Sequence, residues 1–243
     1  MMENKRRTIA DIEALETAKA GFANGISLQL KSRIEDGYHR SLTDEEKWFI
    51  VGEAEKAYGS FLDALGVDWR NDPNSMETPR RVAKAYVFDL WKGRYELPTD
   101  ITSFPSDGYE GIVLERDIPI VSMCSHHHQA ILGKAHVAYI PGKEGKVVGL
   151  SKLNRIVEHF ARRGAIQEQL TVAIHNAVDT VCEDNVGVMV LVHSFHNCVS
   201  CRGVKHFGAS MVTSEVSGVF ADHTRTAKAE VLEMLKLGME GYR

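Results

Sequence analysis

Two short segments carry the residues best suited to chemistry in this 243-residue chain. They are Cys124-Ser125-His126-His127-His128 and, roughly seventy residues further on, His196-Asn197-Cys198-Val199-Ser200-Cys201. Each mixes thiol with imidazole, and together they offer soft sulfurs, at least one nitrogen and spare histidines. A structural zinc site closes with four protein ligands, whereas a catalytic site uses three and leaves a position for water. More donors than a closed site needs, with imidazoles left over to move protons, point to metal-assisted hydrolysis. Cys124 and His127 stand three apart just past a strand-like run, where a tight turn can aim both at one ion. If the second segment is extended, His196 and Cys198 share a face and Cys201 points away, which prefers Cys198 as ligand. Two other readings remain beside this one. Cys198 and Cys201 could form a zinc knuckle, which leaves three consecutive histidines unexplained. Alternatively, the histidines are exposed on a loop and the cysteines are inert and buried, the reading that suits Cys182 on an apolar helix face.

Basic residues form three small clusters. Arg81 and Lys84 lie three apart in Thr78-Pro79-Arg80-Arg81-Val82-Ala83-Lys84, hence on one helix face. Lys152 and Arg155 repeat that spacing behind Ser151, the expected cap of a helix, where free N–H groups and the helix dipole already favour an anion. Arg202 and Lys205 follow the second Cys/His segment. Such clusters suit a multiply charged phosphate, although each taken singly also reads as a solvated face. Glu168, after Gln167, opens another expected helix; it is either a dipole partner or a carboxylate able to hold the N1–H and 2-amino edge of a guanine.

The elements that must position these residues fall into three stretches. Residues 1–42 are polar, with a helix expected near 8–20 in an otherwise mobile extension. Residues 43–108 read as helical: Thr43 caps a helix carrying Trp48, Phe49, Val51, Ala54, Tyr58, Phe61 and Leu62, which Gly66 stops. Thr78-Pro79 opens the next helix as cap and first residue, and 94–108 is an irregular connector. From 109 to 243 the texture changes to strands at 112–114, 118–123 and 130–140, helices at 151–163 and 167–183, strands at 186–192 and 208–214, and a last helix near 223–238. That order argues for an α+β fold with an antiparallel sheet backed by two adjacent helices.

Composition narrows the class. Hydrophobic residues make up 44% and charged residues 26%, ordinary for a chain that buries a core. A formal net charge of −4 gives no general attraction for nucleic acid, so an anionic ligand must meet a local cluster. The start, Met1-Met2-Glu3-Asn4-Lys5-Arg6-Arg7, lacks the apolar core of a secretory signal, and no apolar run is long enough for a membrane span. We expect a cytoplasmic protein, where clustered Cys and His serve metal or catalysis rather than disulfides.

Taken together, Cys124-x-His126-His127, Gly149-Leu150-Ser151-Lys152-Leu153-x-Arg155, Gln167-Glu168-x-Leu170-Thr171 and His196-x-Cys198-x3-Arg202-Gly203-Val204 resemble GTP cyclohydrolase I in order and spacing. Thr78-Pro79-x-Arg81-x-Ala83-Lys84 matches as well, so the resemblance covers about residue 45 to the C-terminus and none of 1–42. It implies the tunnelling fold and a toroidal homodecamer with active sites between subunits. It also implies conversion of GTP to 7,8-dihydroneopterin triphosphate and formate, the first step of pterin, folate or 7-deazaguanine synthesis. Carried over position by position, Cys124, His127 and Cys198 would hold Zn2+, and His126 and His196 would transfer protons, with Ser151 assisting. Gln167 and Glu168 would hold the guanine edge, and Arg81, Lys84, Ser151, Lys152, Arg155 and Arg202 would line the triphosphate pocket. Two departures stand out: Ser125 occupies a position where the family usually has glutamate, and Ser200 one where it often has lysine. Two rival functions stand beside it: a nitrile reductase of the same fold, which relies on a catalytic cysteine and lacks this triad, so that the intact triad argues against it, and a zinc-stabilised binding module, which needs a fourth ligand such as Cys201.

Overall fold

The computed structural model describes residues 41–97 and 101–237, and its contacts divide the chain into two compact units, Met1–Leu97 and Pro98–Arg243. The helix expected near residues 8–20 lies outside the described residues.

The first unit is helical. Helix α1, Asp44–Ala64, starts at the expected cap: the Thr43 hydroxyl accepts from the Glu46 amide, and the Glu46 carboxylate accepts from the Thr43 N–H at 2.7 Å. It ends before Gly66, which adopts the left-handed conformation (φ 72°) that glycine reaches without strain. Helix α2, Thr78–Ala85, continues through a π turn at Tyr86–Leu90 into a short helix α3, Lys92–Tyr95. Thr78 is not its cap; Glu77 takes that position without a side-chain bond, and Pro79 supplies the pre-set φ of the first turn. Leu42, Ile50, Val51, Ala83, Val87 and Tyr95 form the core of this unit. Arg81 and Lys84 are both exposed on α2.

The second unit is built on a four-stranded antiparallel sheet in the order β2-β3-β5-β6. Strand β1, Ser103–Pro105, lies inside the segment read as an irregular connector. Its partner β4, Lys146–Val148, is about forty residues away, so nothing local announces the pairing. Strand β2, Val113–Met123, joins two runs that read as separate, because a bulge between Glu115 and Ile118 with Asp117 at φ 62° breaks the alternation. Strand β3 spans Ala130–Pro141.

Helices α4, Leu150–Ala161, and α5, Gln167–Val181, are joined through Gly164 and pack on one face of the sheet. Strand β5, Asn185–His196, passes into a short helical turn α6, Asn197–Ser200, before β6, Ser210–Val216, and helix α7, Ala227–Lys236. Val137, Val190, Val192, Ile174 and Val178 have no exposed surface in the sheet–helix layer. Each contributes about 1.5–3 kcal/mol by leaving water. The α+β layout expected from the order of elements is the one found. No helix among the described residues is long and apolar enough to cross a membrane.

Candidate metal and catalytic site

The register places both Cys/His segments at one end of the sheet. Met123 pairs with Ala130, so Cys124–Gln129 is the turn of the β2–β3 hairpin, closed by Cys124 N–H to Gln129 O and His128 N–H to Cys124 O, both 2.9 Å. His128 adopts φ 50°, which completes the reversal. Cys124 also forms an isolated parallel bridge with Ala165, and the Ala165 N–H donates to Met123 O at 3.1 Å. That bridge ties the hairpin turn to the residues that lead into α5. On β5, His196 lies opposite Ile131 of β3, and the chain then coils into α6.

Cys124, His127 and Cys198 converge: one ligand atom from each lies within 4.8 Å of the others. Cys124 is buried, Cys198 half-buried and His127 exposed, so the group opens to solvent on the histidine side. The Cys198 thiol is held above its ordinary pKa by burial and by the neighbouring Cys124 thiol, a crowding that a divalent cation would relieve. Two thiols and one imidazole are a donor set that suits zinc with one position left over. The extended geometry used to favour Cys198 is not what the chain adopts. Cys198 sits in a helical turn, and that turn rather than strand alternation brings it to the cluster. Cys201 is exposed and outside the convergent group; its thiol donates to Asn197 O and to Gln129 Oε1. Cys182 is fully buried, with its thiol pushed up to about 12 by burial, as suits an inert core residue.

The other expected site residues are distributed around this cluster. His126 is exposed beside His127, the two rings edge to face with centroids 6.2 Å apart. His196 is half-buried, and burial lowers its pKa while the charge of Glu168 opposes that shift. Glu168 is exposed in the first turn of α5. Arg202 lies close enough to Cys198 for its charge to favour the thiolate.

Ser151 does not cap α4: the cap position is Gly149, with no side-chain bond. Because Leu150 already belongs to the helix, Ser151 stands exposed in the first turn, with Lys152 and Arg155 following it. Arg81 and Lys84 belong to the other compact unit.

Gln167, expected beside Glu168 on the guanine edge, lies inside the protein. It is 1% exposed, and its amide is fully engaged inside the protein. Its Nε2, with two hydrogens to give, lies 3.1 Å from each of three acceptors, Val192 O, Met211 O and Thr213 Oγ1, while its Oε1 accepts from Ser194 and lies 2.7 Å from His196 Nε2. A buried amide must satisfy its own donors and acceptor first, and here strand carbonyls are the available partners. Ser194 and Thr213, which complete this network, were missed in the sequence. Ser194 lies two residues before His196 on the same strand, and that period of two was the signal available.

The family model of GTP cyclohydrolase I matches residues 54–236. GTP cyclohydrolase 1 of Geobacillus kaustophilus (strain HTA426) is 44% identical over 185 residues, covering 76% of this chain and 96% of that protein. The enzyme of the same name from Bacillus subtilis (strain 168) is 45% identical over 186 residues, covering 76% and 95%. Among solved structures, an archaeosine synthase QueF-like protein in the apo form aligns with a TM-score of 0.35 and 19% identity, over 45% of this chain and 94% of that one. That last likeness is too slight to build on.

Proposed function

This chain belongs to the GTP cyclohydrolase I family and is a GTP cyclohydrolase, and we propose that it works through zinc held by Cys124, His127 and Cys198. The observation that carries this reading is the convergence of those three ligand atoms within 4.8 Å, with His126 adjacent in sequence. When bound, zinc supplies Lewis acidity that activates water near neutral pH.

The protein's own groups account for the rest of the conversion of GTP to 7,8-dihydroneopterin triphosphate and formate. Glu168 offers two carboxylate oxygens for the N1–H and 2-amino edge of guanine, a charge-assisted pair that orients the base. Lys152, Arg155 and Arg202 supply positive charge for the triphosphate. As water adds to C8 that carbon becomes tetrahedral, and His126 gives a proton to N7. One C8–N bond then breaks to leave a formamide, a second water cleaves the other and releases formate, and the ribose opens, rearranges and recloses on the pyrimidine with loss of one water; His196 and Ser151 move protons in those steps.

The same reading includes a toroidal homodecamer in the cytoplasm. Leu132, Phe195 and Val212 support association alone, since they leave an exposed apolar row on the sheet face opposite α4 and α5.

The experiment is an assay of formate and dihydroneopterin triphosphate from GTP, run with zinc stoichiometry and oligomer mass on one preparation. We expect one zinc per chain, loss of turnover on chelation and recovery on adding zinc back. Full turnover by metal-free protein, or no formate from GTP, would overturn the reading.

A further inference from the structure

The Gln167 amide has only one orientation that its surroundings permit. Its Nε2 faces two strand carbonyls, Val192 O and Met211 O, which can only accept. Turning the amide over would set Oε1 against both oxygens with no proton between them. Oε1 therefore faces Ser194 and His196, where it too can only accept. A carbonyl oxygen 2.7 Å from His196 Nε2 requires a proton on that nitrogen. Ser194 Oγ, 3.3 Å from the same nitrogen, gives its own hydrogen to Gln167 and does not compete. Nδ1 of His196 makes no hydrogen bond among the described residues.

We propose that Gln167 is a positioning residue for His196: its Oε1 accepts from Nε2–H and so fixes both the orientation of the ring and the nitrogen that carries the proton. This rests on the reading of His196 as a proton carrier in the cyclohydrolase reaction. It also replaces the expected contact between Gln167 and guanine. A ring held at one nitrogen by a buried, fully satisfied amide neither rotates nor changes tautomer without breaking that network. The strands act at one remove: the carbonyls of Val192 and Met211 orient the amide, and the amide orients the ring.

The first test needs no variant of the network. In zinc-loaded wild-type protein labelled with 15N at histidine, the His196 signals are identified by their loss in His196→Ala. Nε2 is expected to carry a proton hydrogen-bonded to Gln167; an unprotonated Nε2 overturns the proposal.

The second test is kinetic. Gln167→Met removes the acceptor at similar volume and should lower kcat for GTP about 100-fold, within the range for a misplaced acid–base group. KM should stay within about 3-fold and zinc should remain stoichiometric. Ser194→Ala keeps the Gln167–His196 bond and should cost less than about 5-fold in kcat. A rise in KM at unchanged kcat for Gln167→Met would mean direct contact with the base and would sink the proposal. If Gln167→Met does not fold, the labelled wild type decides. Absence of formate release by the wild type would remove the cyclohydrolase reading and leave the nitrogen assignment measurable on its own.

Discussion

Gly133 of β3 lies directly against Ser194 of β5: a Cβ at residue 133 would stand 2.4 Å from Ser194 Cβ and 2.2 Å from His193 O. The space a side chain would fill is taken by the strand that carries Ser194 and His196. Gly133→Ala has no flexible neighbour to push aside, because the nearest atom is backbone. It should destabilise the protein by about 1–3 kcal/mol, as overpacking does, and displace Ser194 and His196 together. Denaturant unfolding measures the first effect. A kcat for GTP that falls by more than the fraction unfolded measures the second, and unchanged turnover would show that β5 tolerates the shift.

The two cysteines of the second segment should separate cleanly. Cys198→Ser removes a convergent sulfur and should leave substoichiometric zinc, with formate release reduced by at least about 1000-fold, a loss of the whole Lewis-acid contribution. Cys201→Ser removes only bonds to Asn197 O and Gln129 and should keep zinc content and folding near normal. Metal analysis and circular dichroism on both variants check this. Zinc lost from Cys201→Ser would revive the four-ligand site.

His126 and His127 are neighbours with different assignments, so their variants should fail differently. His126→Ala should retain zinc and release formate at least about 100-fold more slowly, the usual weight of one acid–base group. His127→Ala should lose zinc as well. If His126→Ala is the variant found without metal, the division between the two rings is reversed.

Glu115 is a buried carboxyl in β2 with one oxygen bonded to Asn154 of α4 and the other without a hydrogen-bond partner. Burial raises its pKa, and the bond from Asn154 only partly offsets this. In the unfolded chain the group ionises near its ordinary value of about 4.3. Between that pH and the raised folded value, the unfolded state binds fewer protons, so this group's contribution to stability falls as pH rises. Glu115→Gln should therefore raise the thermal midpoint at pH 8 by about 2 °C or more, the scale expected for a part of 1 kcal/mol or so in a chain of this size. The gain should shrink towards pH 4. A pH-independent difference would mean that the carboxyl is neutral or solvated throughout.

Much of this protein is legible from residue type and local spacing. Helical period placed α1, α4 and α5 within a few residues, and the Thr43–Glu46 capping box reads directly because its partners are three apart. The three metal-ligand candidates also follow from chemistry, since few residues bind zinc and these are clustered. The reasoning failed wherever the deciding partner was distant. β1 was read as loop because β4 is about forty residues away, and Ser151 was read as a cap because nothing local shows the helix beginning at Leu150.

Sequence by itself determined the α+β class and the family and offered the candidate donors, because periodicity and side-chain chemistry are properties of short stretches. Tertiary structure decided which donors meet and which atom of each is free. Cys198 joins the cluster through a helical turn where an extended strand was expected. Gln167 turns inward, where its Nε2 meets the carbonyls of Val192 and Met211 from two different strands. A buried polar group answers to whatever the folded sheet leaves unpaired beside it, and that is set only once strands far apart in the chain have come into register.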